Sequence, residues 1–273
     1  YKFENKKNPK IMISFTTCKR LNLFQKTVQS ILNTWSDVRL IDYWFCVDDN
    51  SCEEEIEIMK TKYKWIDFVF KNENEKGHKN SMKIIWRKIK ELDIKYWIHM
   101  EDDFLFFDTM NYVSYGIEGL NTLKEYNVKQ ILFNNNYAET IQGYNIKGSK
   151  KINEFFSIHE YLPNREFDYL NNHYWPHYSL RPSIIDTESI LKIGNYTLAT
   201  SQFFEMEYAS LYAQNNYKSG FFNKITNMHI GKLTNEKNKD NAYALNNEEQ
   251  FDHENIYEKY KTYVINLDDR EDR

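Results

Sequence analysis

The segment "YWIHMEDDFLFF" (residues 96–107) joins an apolar, aromatic run directly to three acidic residues. The apolar part has the composition of a buried β-strand. Glu101, Asp102 and Asp103 follow at the point where such a strand leaves the core. Three adjacent carboxylates repel one another unless a cation offsets their charge. The segment therefore predicts a strand that ends at a cation-binding site.

Strand and helix patterns alternate on the N-terminal side of this segment. Four apolar runs predict strands: residues 10–20, 41–51, 65–72 and the run that begins at residue 96. Three segments between them have helical patterns: residues 21–35, 52–63 and 80–93. Such alternation is typical of a parallel, doubly wound α/β sheet with helices on both faces.

The second half of the chain is less regular. Residues 130–137 predict a further strand, and residues 174–186 an edge or bent strand, because this stretch contains two prolines. Residues 200–216 predict a helix with Ser201 as its N-cap, and residues 220–233 a strand. We expect one domain over residues 1–233, with halves at 11–107 and 108–233.

Composition limits the classes of function. Of the 273 residues, 41% are hydrophobic and 16% aromatic, as in a globular protein. A formal charge of −4 with no long basic block argues against a nucleic-acid partner. No apolar stretch approaches the roughly 18 to 20 residues that span a bilayer. Three cysteines argue against a disulfide framework or a zinc site.

Polar side chains collect at the predicted strand ends. Ligands of doubly wound sheets bind beyond the carboxyl ends of the strands. The turn after the first strand, "TTCKRL", contains no glycine, which excludes a dinucleotide fingerprint and a P-loop. A bound diphosphate would therefore need another partner, such as Mg²⁺ or Mn²⁺ held by carboxylates.

Four motifs in order resemble the nucleotide-binding half of GT-A glycosyltransferases, most closely the family 2 group. They are "ISFTTCKR", "FCVDDNS", "KGHKNSMKIIW" and "IHMEDDF". The resemblance covers residues 11–107 and extends with less agreement to about residue 233. It implies the GT-A (Rossmann-like) fold, a mixed, mainly parallel sheet flanked by helices on both faces. "EDD" takes the place of the Asp-x-Asp motif.

The resemblance also implies roles for individual residues in binding a sugar-nucleotide donor and a metal. Contacts to the nucleoside are implied for Thr16, Arg20, Asp48 and Asp49. Lys79 is placed near the donor phosphates, and Glu101 and Asp102 near the ribose and donor sugar. Asp103 and His229 would ligate Mn²⁺ or Mg²⁺, and imidazole favours Mn²⁺. An alternative for Asp48 and Asp49 is an acidic helix start that caps the next helix.

The same resemblance implies a general base near the start of the last predicted helix. Glu205 is the favoured residue and Glu207 the second choice, because the chain has Glu-Met-Glu where family 2 usually has Glu-Asp. Either could instead be an exposed acid favoured by the helix dipole. Trp175, His177 and Tyr178 are candidate stacking surfaces for the acceptor sugar, with aromatic core packing as the alternative.

The C-terminal residues 234–273 predict a polar linker followed by a fresh strand. That strand, "TYVINLDDREDR", resembles the start of family 25 glycosyltransferases and predicts either the entrance to a second transferase domain or a peripheral extension. Usage rich in Asn, Lys, Ile and Tyr favours an AT-rich genome, such as that of a large DNA virus or a low-GC microbe. We expect a cytoplasmic protein, in the host cytoplasm if the source is viral.

The expected function is therefore a metal-dependent glycosyltransferase of hexosyltransferase type (EC 2.4). It would move a sugar from a UDP-sugar, with inversion, to a hydroxyl on a glycan, lipid or protein. Two alternatives stay open. One is a degenerate module that binds nucleotide sugars or glycans without turnover. The other is a nucleotidyltransferase, which would normally carry a glycine-rich basic loop after the first strand.

Overall fold

The computed structural model describes residues 3–135, 149–159, 178–198 and 204–231. The strands are β1 Ile11–Thr17, β2 Tyr43–Asp49, β3 Asp67–Lys71, β4 Tyr96–Glu101, β5 Phe104–Phe106, β6 Val128–Leu132, β7 Ser149–Lys151, β8 Phe156–His159, β9 Ser183–Asp186, β10 Lys218–Phe222 and β11 Asn227–His229. The helices are α1 Leu21–Thr34, α2 Glu53–Lys62, α3 His78–Glu91, α4 Tyr112–Thr122, α5 Thr187–Ile193 and α6 Phe204–Gln214.

Nine of these strands form one mixed sheet in the order β3-β2-β1-β4-β9-β6-β10-β8-β7. The first four are parallel to one another, with β1 between β2 and β4. Each is joined to the next through a helix, as the alternating pattern predicts. The carboxyl ends of β1, β2 and β4 therefore meet at one edge of the sheet.

Helices cover both faces of the sheet because each has one apolar side. On one face α1 buries Phe24, Val28 and Ile31 against the strands, together with residues of α2 and α4. On the other face α3 buries Met82, Ile85 and Ile89 beside α5 and α6. Two hydrophobic cores therefore enclose the sheet, and the predicted α/β class is confirmed.

Strand β9 corrects the prediction of an edge or bent strand in residues 174–186. It lies in the middle of the sheet, antiparallel to both β4 and β6. Pro182 precedes the strand, so its missing N–H removes nothing from the ladder, and its carbonyl accepts a hydrogen bond from the N–H of Phe133 at 3.0 Å. An interior position is thus compatible with this proline.

Residues 220–233 also differ from the single strand that the sequence predicts. Strand β10 ends at Phe222 in the large sheet, parallel to β6, and β11 pairs antiparallel with β5 in a separate two-stranded sheet. This small sheet places His229 opposite Phe104. The N–H of Ile230 then donates to the carbonyl of Asp103 at 2.8 Å. The chain returns in this way to the acidic segment.

None of the described helices is long and apolar enough to cross a membrane. The predicted linker and fresh strand at the C-terminus, and the predicted N-cap Ser201, lie outside the described residues.

Candidate active site

The candidate site lies at the carboxyl ends of β1, β2 and β4, where the polar residues singled out from the sequence meet. Parallel pairing aligns Thr16 with Glu101 across β1 and β4, and Thr17 with Asp48 across β1 and β2. The first turns of α3 and α6 approach the same edge, since the rings of His78 and Phe204 are in edge contact at 5.3 Å. Five elements therefore contribute to one site.

Arg20 is the cation that offsets two of the three acids. It stands at the N-cap of α1 and its side chain is 8% exposed. Its Nη1 donates to Oδ2 of Asp103 at 2.9 Å, and its Nη2 donates to Oδ1 of Asp102. The sequence predicted a metal ion for this task and a nucleoside contact for Arg20. The structure adds Arg20 to the groups that offset this charge, because the guanidinium is buried and bound to the two carboxylates, and the nucleoside contact of Arg20 stays a prediction.

Asp102 is turned inward and has no exposed surface. Its Oδ2 accepts hydrogen bonds from the hydroxyl of Thr17 at 2.8 Å and from the N–H of Cys18 at 3.3 Å. Burial raises the pKa of Asp102 to about 6, although Arg20 opposes the shift. The predicted contact between Asp102 and a donor sugar does not fit this position. Asp102 instead ties the end of β4 to the turn after β1.

Asp103 faces His229 across the small sheet. Nε2 of His229 lies 3.2 Å from Oδ2 of Asp103, the same oxygen that Arg20 contacts. Although burial alone would raise the pKa of Asp103, His229 and Arg20 together hold it well below its usual range. The other oxygen, Oδ1, is buried and has no hydrogen-bond partner among the described residues. A buried carboxylate oxygen without a partner is costly unless a ligand completes it.

The donor set around Asp103 fits a divalent metal in part. A carboxylate oxygen and an imidazole nitrogen suit Mn²⁺ better than Mg²⁺. In the part of the chain that the structure describes, no three His, Cys, Asp or Glu side chains are grouped to hold a metal. Asp103 and His229 could therefore supply two ligands, and a bound diphosphate and water would have to supply the others.

Glu101 is the most open of the three acids, with 33% of its side chain exposed. Its Oε1 lies 3.7 Å from Nδ1 of His78, and Nε2 of His78 lies 3.4 Å from the hydroxyl of Thr16. Removal from water, with further contributions from Asp103 and Glu205, raises the pKa of Glu101 to about 8. The edge of the sheet at the carboxyl ends of β1, β2 and β4 is here called the rim. It carries a row of polar contacts that connects Thr16, His78 and Glu101.

His78 is a site residue that the sequence reasoning missed. Burial lowers its pKa to about 4, so the imidazole is neutral at pH 7. The sequence signal for it is the histidine that directly follows glycine in "KGHK", next to the predicted site residue Lys79. Gly77 precedes α3 with φ of 109°, a conformation that favours glycine, and His78 opens the helix at the rim. Lys79 is half-buried in the same first turn.

Asp48 and Asp49 organise loops. Asp48 has no exposed surface, and its two oxygens accept from the N–H and hydroxyl of Ser51 at 2.9 and 2.6 Å. Asp49 accepts from the N–H of Gly77 and pairs with the buried Nζ of Lys71 at 2.8 Å. The capping alternative does not fit Asp48, since Cys52 holds the N-cap position of α2, and the predicted nucleoside contact stays a prediction.

Glu205 and Glu207 both lie in the first turn of α6. Oε1 of Glu205 accepts a hydrogen bond from the N–H of Leu180 at 2.8 Å. Glu205 also contributes to the raised pKa of Glu101, which places its charge near the rim. The structure therefore brings Glu205 to the site.

Of the three candidate acceptor residues, Trp175 and His177 lie outside the described residues. Tyr178 is 1% exposed and its ring packs against Tyr208 and Tyr212 at 5.0 and 5.5 Å. Its hydroxyl is bonded to that of Tyr196. The prediction of a sugar-stacking surface is wrong for Tyr178, because core packing leaves neither face of the ring free.

Comparisons with known proteins support the fold. No protein-family model matches the chain, and no curated protein sequence does. A solved structure of GalNAc-T7 with UDP, GalNAc and Mn²⁺ matches with a TM-score of 0.54 and 11% identity over 83% of this chain and 44% of that one. The chain therefore has the GT-A fold.

Two further solved structures match less well. The mannosyltransferase PcManGT from Pyrobaculum calidifontis, in complex with GDP-Man and Mn²⁺, gives a TM-score of 0.49 at 9% identity over 80% of this chain and 56% of that one. S. aureus TarS 1–349 in complex with UDP gives 0.46 at 11% identity over 80% and 59%. The chain spans about half the length of the solved structures it matches.

Proposed function

We propose that the protein is a metal-dependent glycosyltransferase of hexosyltransferase type. It takes a sugar from a nucleoside-diphosphate donor, UDP-linked, and passes it to a hydroxyl of a glycan, lipid or protein. One observation carries the proposal. Oδ1 of Asp103 is buried and has no hydrogen-bond partner in the described part of the chain, and it lies beside His229 at the strand ends where α/β sheets bind ligands. GalNAc-T7, which shares the fold, was solved with UDP, GalNAc and Mn²⁺.

The rim residues have the chemistry to hold such a donor. Thr16 and Glu101 offer a hydroxyl and a carboxylate for a ribose or sugar hydroxyl, and the neutral His78 lies between them. Lys79 supplies a cation for the phosphates from the first turn of α3. Asp103 and His229 would hold Mn²⁺, which when bound offsets negative charge on the leaving diphosphate.

Glu205 is the proposed general base. In direct displacement the acceptor oxygen bonds to the anomeric carbon, the bond from that carbon to the diphosphate oxygen breaks, and the base takes the hydroxyl proton. The configuration at the anomeric carbon is inverted because attack and departure occur on opposite faces. Glu205 supports this role because its charge lies near Glu101, while its Oε1 is anchored to the backbone of Leu180. Glu207 is the second candidate.

The rival function is a degenerate module that binds a nucleotide sugar without turnover. The ion pairs of Arg20 favour it, because a buried guanidinium already offsets Asp102 and Asp103 without any metal. A nucleotide sugar that binds but is not consumed would support the degenerate module, and consumption of the donor would support the transferase.

The test is an assay of nucleoside-diphosphate release from UDP-glucose, UDP-galactose, UDP-GalNAc and GDP-mannose with Mn²⁺. Glycoside, lipid and peptide acceptors are offered in turn. We expect release that depends on one donor and one acceptor class, and a loss of at least about a hundredfold in kcat for Glu205→Gln with donor affinity retained. Glu207→Gln is assayed beside it, and a loss of kcat in Glu207→Gln with full activity in Glu205→Gln would move the base to Glu207. Donor binding with no release under any acceptor would support the degenerate module.

A further inference from the structure

We propose that Arg20 is a positioning residue of the metal centre. It holds Asp103 so that one carboxylate oxygen stays directed at the cation. This inference rests on the proposed metal-dependent function and extends it to a residue outside the ligand set.

The first step of the argument is that the guanidinium bridges two neighbouring carboxylates. Nη1 contacts Oδ2 of Asp103 at 2.9 Å while Nη2 contacts Asp102. A planar guanidinium fixes the relative orientation of two such groups, which a single ammonium charge cannot do.

The second step is that hydrogen bonds hold Asp102 itself in a fixed position. Thr17 and Cys18 donate to its Oδ2, and the hydroxyl of Thr27 donates to its backbone carbonyl at 2.7 Å. A chain of contacts therefore runs from the turn after β1 through Asp102 and Arg20 to Asp103. Contacts of this kind behind a ligand commonly set its orientation.

The third step is that every described contact of the Asp103 carboxylate falls on one oxygen. Arg20 and His229 both contact Oδ2, and the backbone at Gly231 approaches the same atom. The N–H of Ile230 also fixes the backbone carbonyl of Asp103. Oδ1 is left as the oxygen available to a cation. Without Arg20 the carboxylate could rotate, and Oδ1 would no longer stay directed at the cation.

Charge and positioning predict opposite effects for Arg20. As a charge, a guanidinium beside the ligands repels a divalent cation, so its removal would strengthen metal binding. As a positioning group it lowers the cost of ordering Asp103, so its removal would weaken binding. Variants that hold the local charge constant separate the two effects.

Two variants keep the net charge of the site. Arg20→Lys retains the cation but loses the planar fork. The double variant Arg20→Met with Asp102→Asn removes one positive and one negative charge together, so that neither the guanidinium nor the Asp102 carboxylate is left without the other. Arg20→Met alone removes the charge. Arg87→Met, on the exposed side of α3, is the matched control for an arginine lost elsewhere.

The experiment is a titration of each protein with Mn²⁺ in the presence of UDP, followed by the electron paramagnetic resonance signal of free Mn²⁺. We expect Arg20→Lys and the double variant to bind Mn²⁺ at least about tenfold more weakly than the unaltered protein. Arg87→Met should match the unaltered protein. Unchanged Mn²⁺ affinity in both charge-balanced variants, or tighter binding in Arg20→Met, would overturn the inference.

Two further readings keep the outcome unambiguous. Thermal unfolding of each variant shows whether it is folded, and if Arg20→Met does not fold, the two charge-balanced variants decide.

Failure of the proposed function looks different from failure of this inference. In that case the unaltered protein and Asp103→Asn would bind Mn²⁺ equally poorly, and both proposals would be rejected.

Discussion

At the scale of single residues, the acids of the site differ in what they contact. Asp102 and Asp48 have both carboxylate oxygens bound inside the protein, whereas Asp103 has one oxygen without a partner among the described residues. Glu101 is the most exposed of the three adjacent acids. Acids that lie at the same edge of the sheet therefore differ in orientation, and this difference is what supports the proposed roles of Asp103 at a metal and Glu101 at the donor.

Gly231 provides a residue-scale test of the geometry at Asp103. A Cβ at this position would lie 2.0 Å from Oδ2 and 2.7 Å from Cγ of Asp103. Gly231→Ala should therefore displace the carboxylate and weaken Mn²⁺ binding about tenfold or more. Ile230→Ala is the control, because it keeps the backbone N–H that binds Asp103. Equal Mn²⁺ affinity in Gly231→Ala and the unaltered protein would contradict the described approach.

Asp48 provides a test through pH. Burial raises its pKa from the ordinary 3.8 to about 6, so the folded state holds this proton more tightly than the unfolded state. The stabilisation from that proton is complete below about pH 4 and is lost as pH rises through about 6. The difference corresponds to about 3 kcal/mol in the free energy of unfolding.

We therefore expect Asp48→Asn to gain stability over the unaltered protein between pH 4 and pH 7, by up to about 3 kcal/mol. Urea unfolding at a series of pH values measures the change. Asp93→Asn is the control, because that side chain is 93% exposed and asparagine suits its positive φ. A constant stability difference between Asp48→Asn and the unaltered protein would contradict the assignment.

At the scale of elements, a buried ion pair fastens the β3–α3 connection to β2. Nζ of Lys71, at the end of β3, contacts Asp49 and donates to the carbonyl of Gly77, both at 2.8 Å. The N–H of Gly77 donates back to Asp49. These contacts therefore fix the position at which α3 begins, and this places His78 at the rim.

Removing Lys71 tests this clamp. Lys71→Met leaves the buried carboxylate of Asp49 without this cation, so we expect a loss of about 3 kcal/mol in the free energy of unfolding. The double variant Lys71→Met with Asp49→Asn should recover part of that loss. Urea unfolding measures both, with the exposed Lys26→Met as control. If Lys71→Met were as stable as the unaltered protein, the contacts of Lys71 would contribute nothing to the free energy of unfolding.

Local patterns predicted the elements that depend on local sequence. Strands β1 to β4 and the helices between them follow from short apolar runs and helical spacing. The interior position of β9 did not follow, because it depends on pairing with β4 and β6, which lie far away in sequence. The separate pairing of β11 with β5 was missed for the same reason.

The candidate site was predictable to a similar extent. The acids at the ends of β2 and β4 were identified from their position. Their orientation was not, because it depends on Arg20, which reaches Asp102 and Asp103 across 82 and 83 positions of the chain. Tyr178 was misassigned because an aromatic residue near two prolines has the same composition in a core as on a binding surface.

At the scale of the whole molecule, the nine-stranded sheet and the small sheet of β5 and β11 bring the two halves of the chain together. Strand β9 joins β4 of the first half to β6 of the second. The β5–β11 pair then places His229 beside Asp103, so that each half contributes one residue to the proposed metal pair. The proposed metal site therefore depends on contacts between the two halves of the fold.

The central claim is that Asp103 and His229 hold a metal through which a nucleotide sugar binds. The most direct test is calorimetric titration of UDP-glucose, UDP-galactose, UDP-GalNAc and GDP-mannose, each with Mn²⁺ and with EDTA. Asp103→Asn and the rim-distant Arg87→Met are titrated in parallel. The account predicts saturable binding of one donor that disappears with EDTA and in Asp103→Asn and persists in Arg87→Met. Donor binding of equal strength with EDTA, or no binding of any of the four, would contradict it.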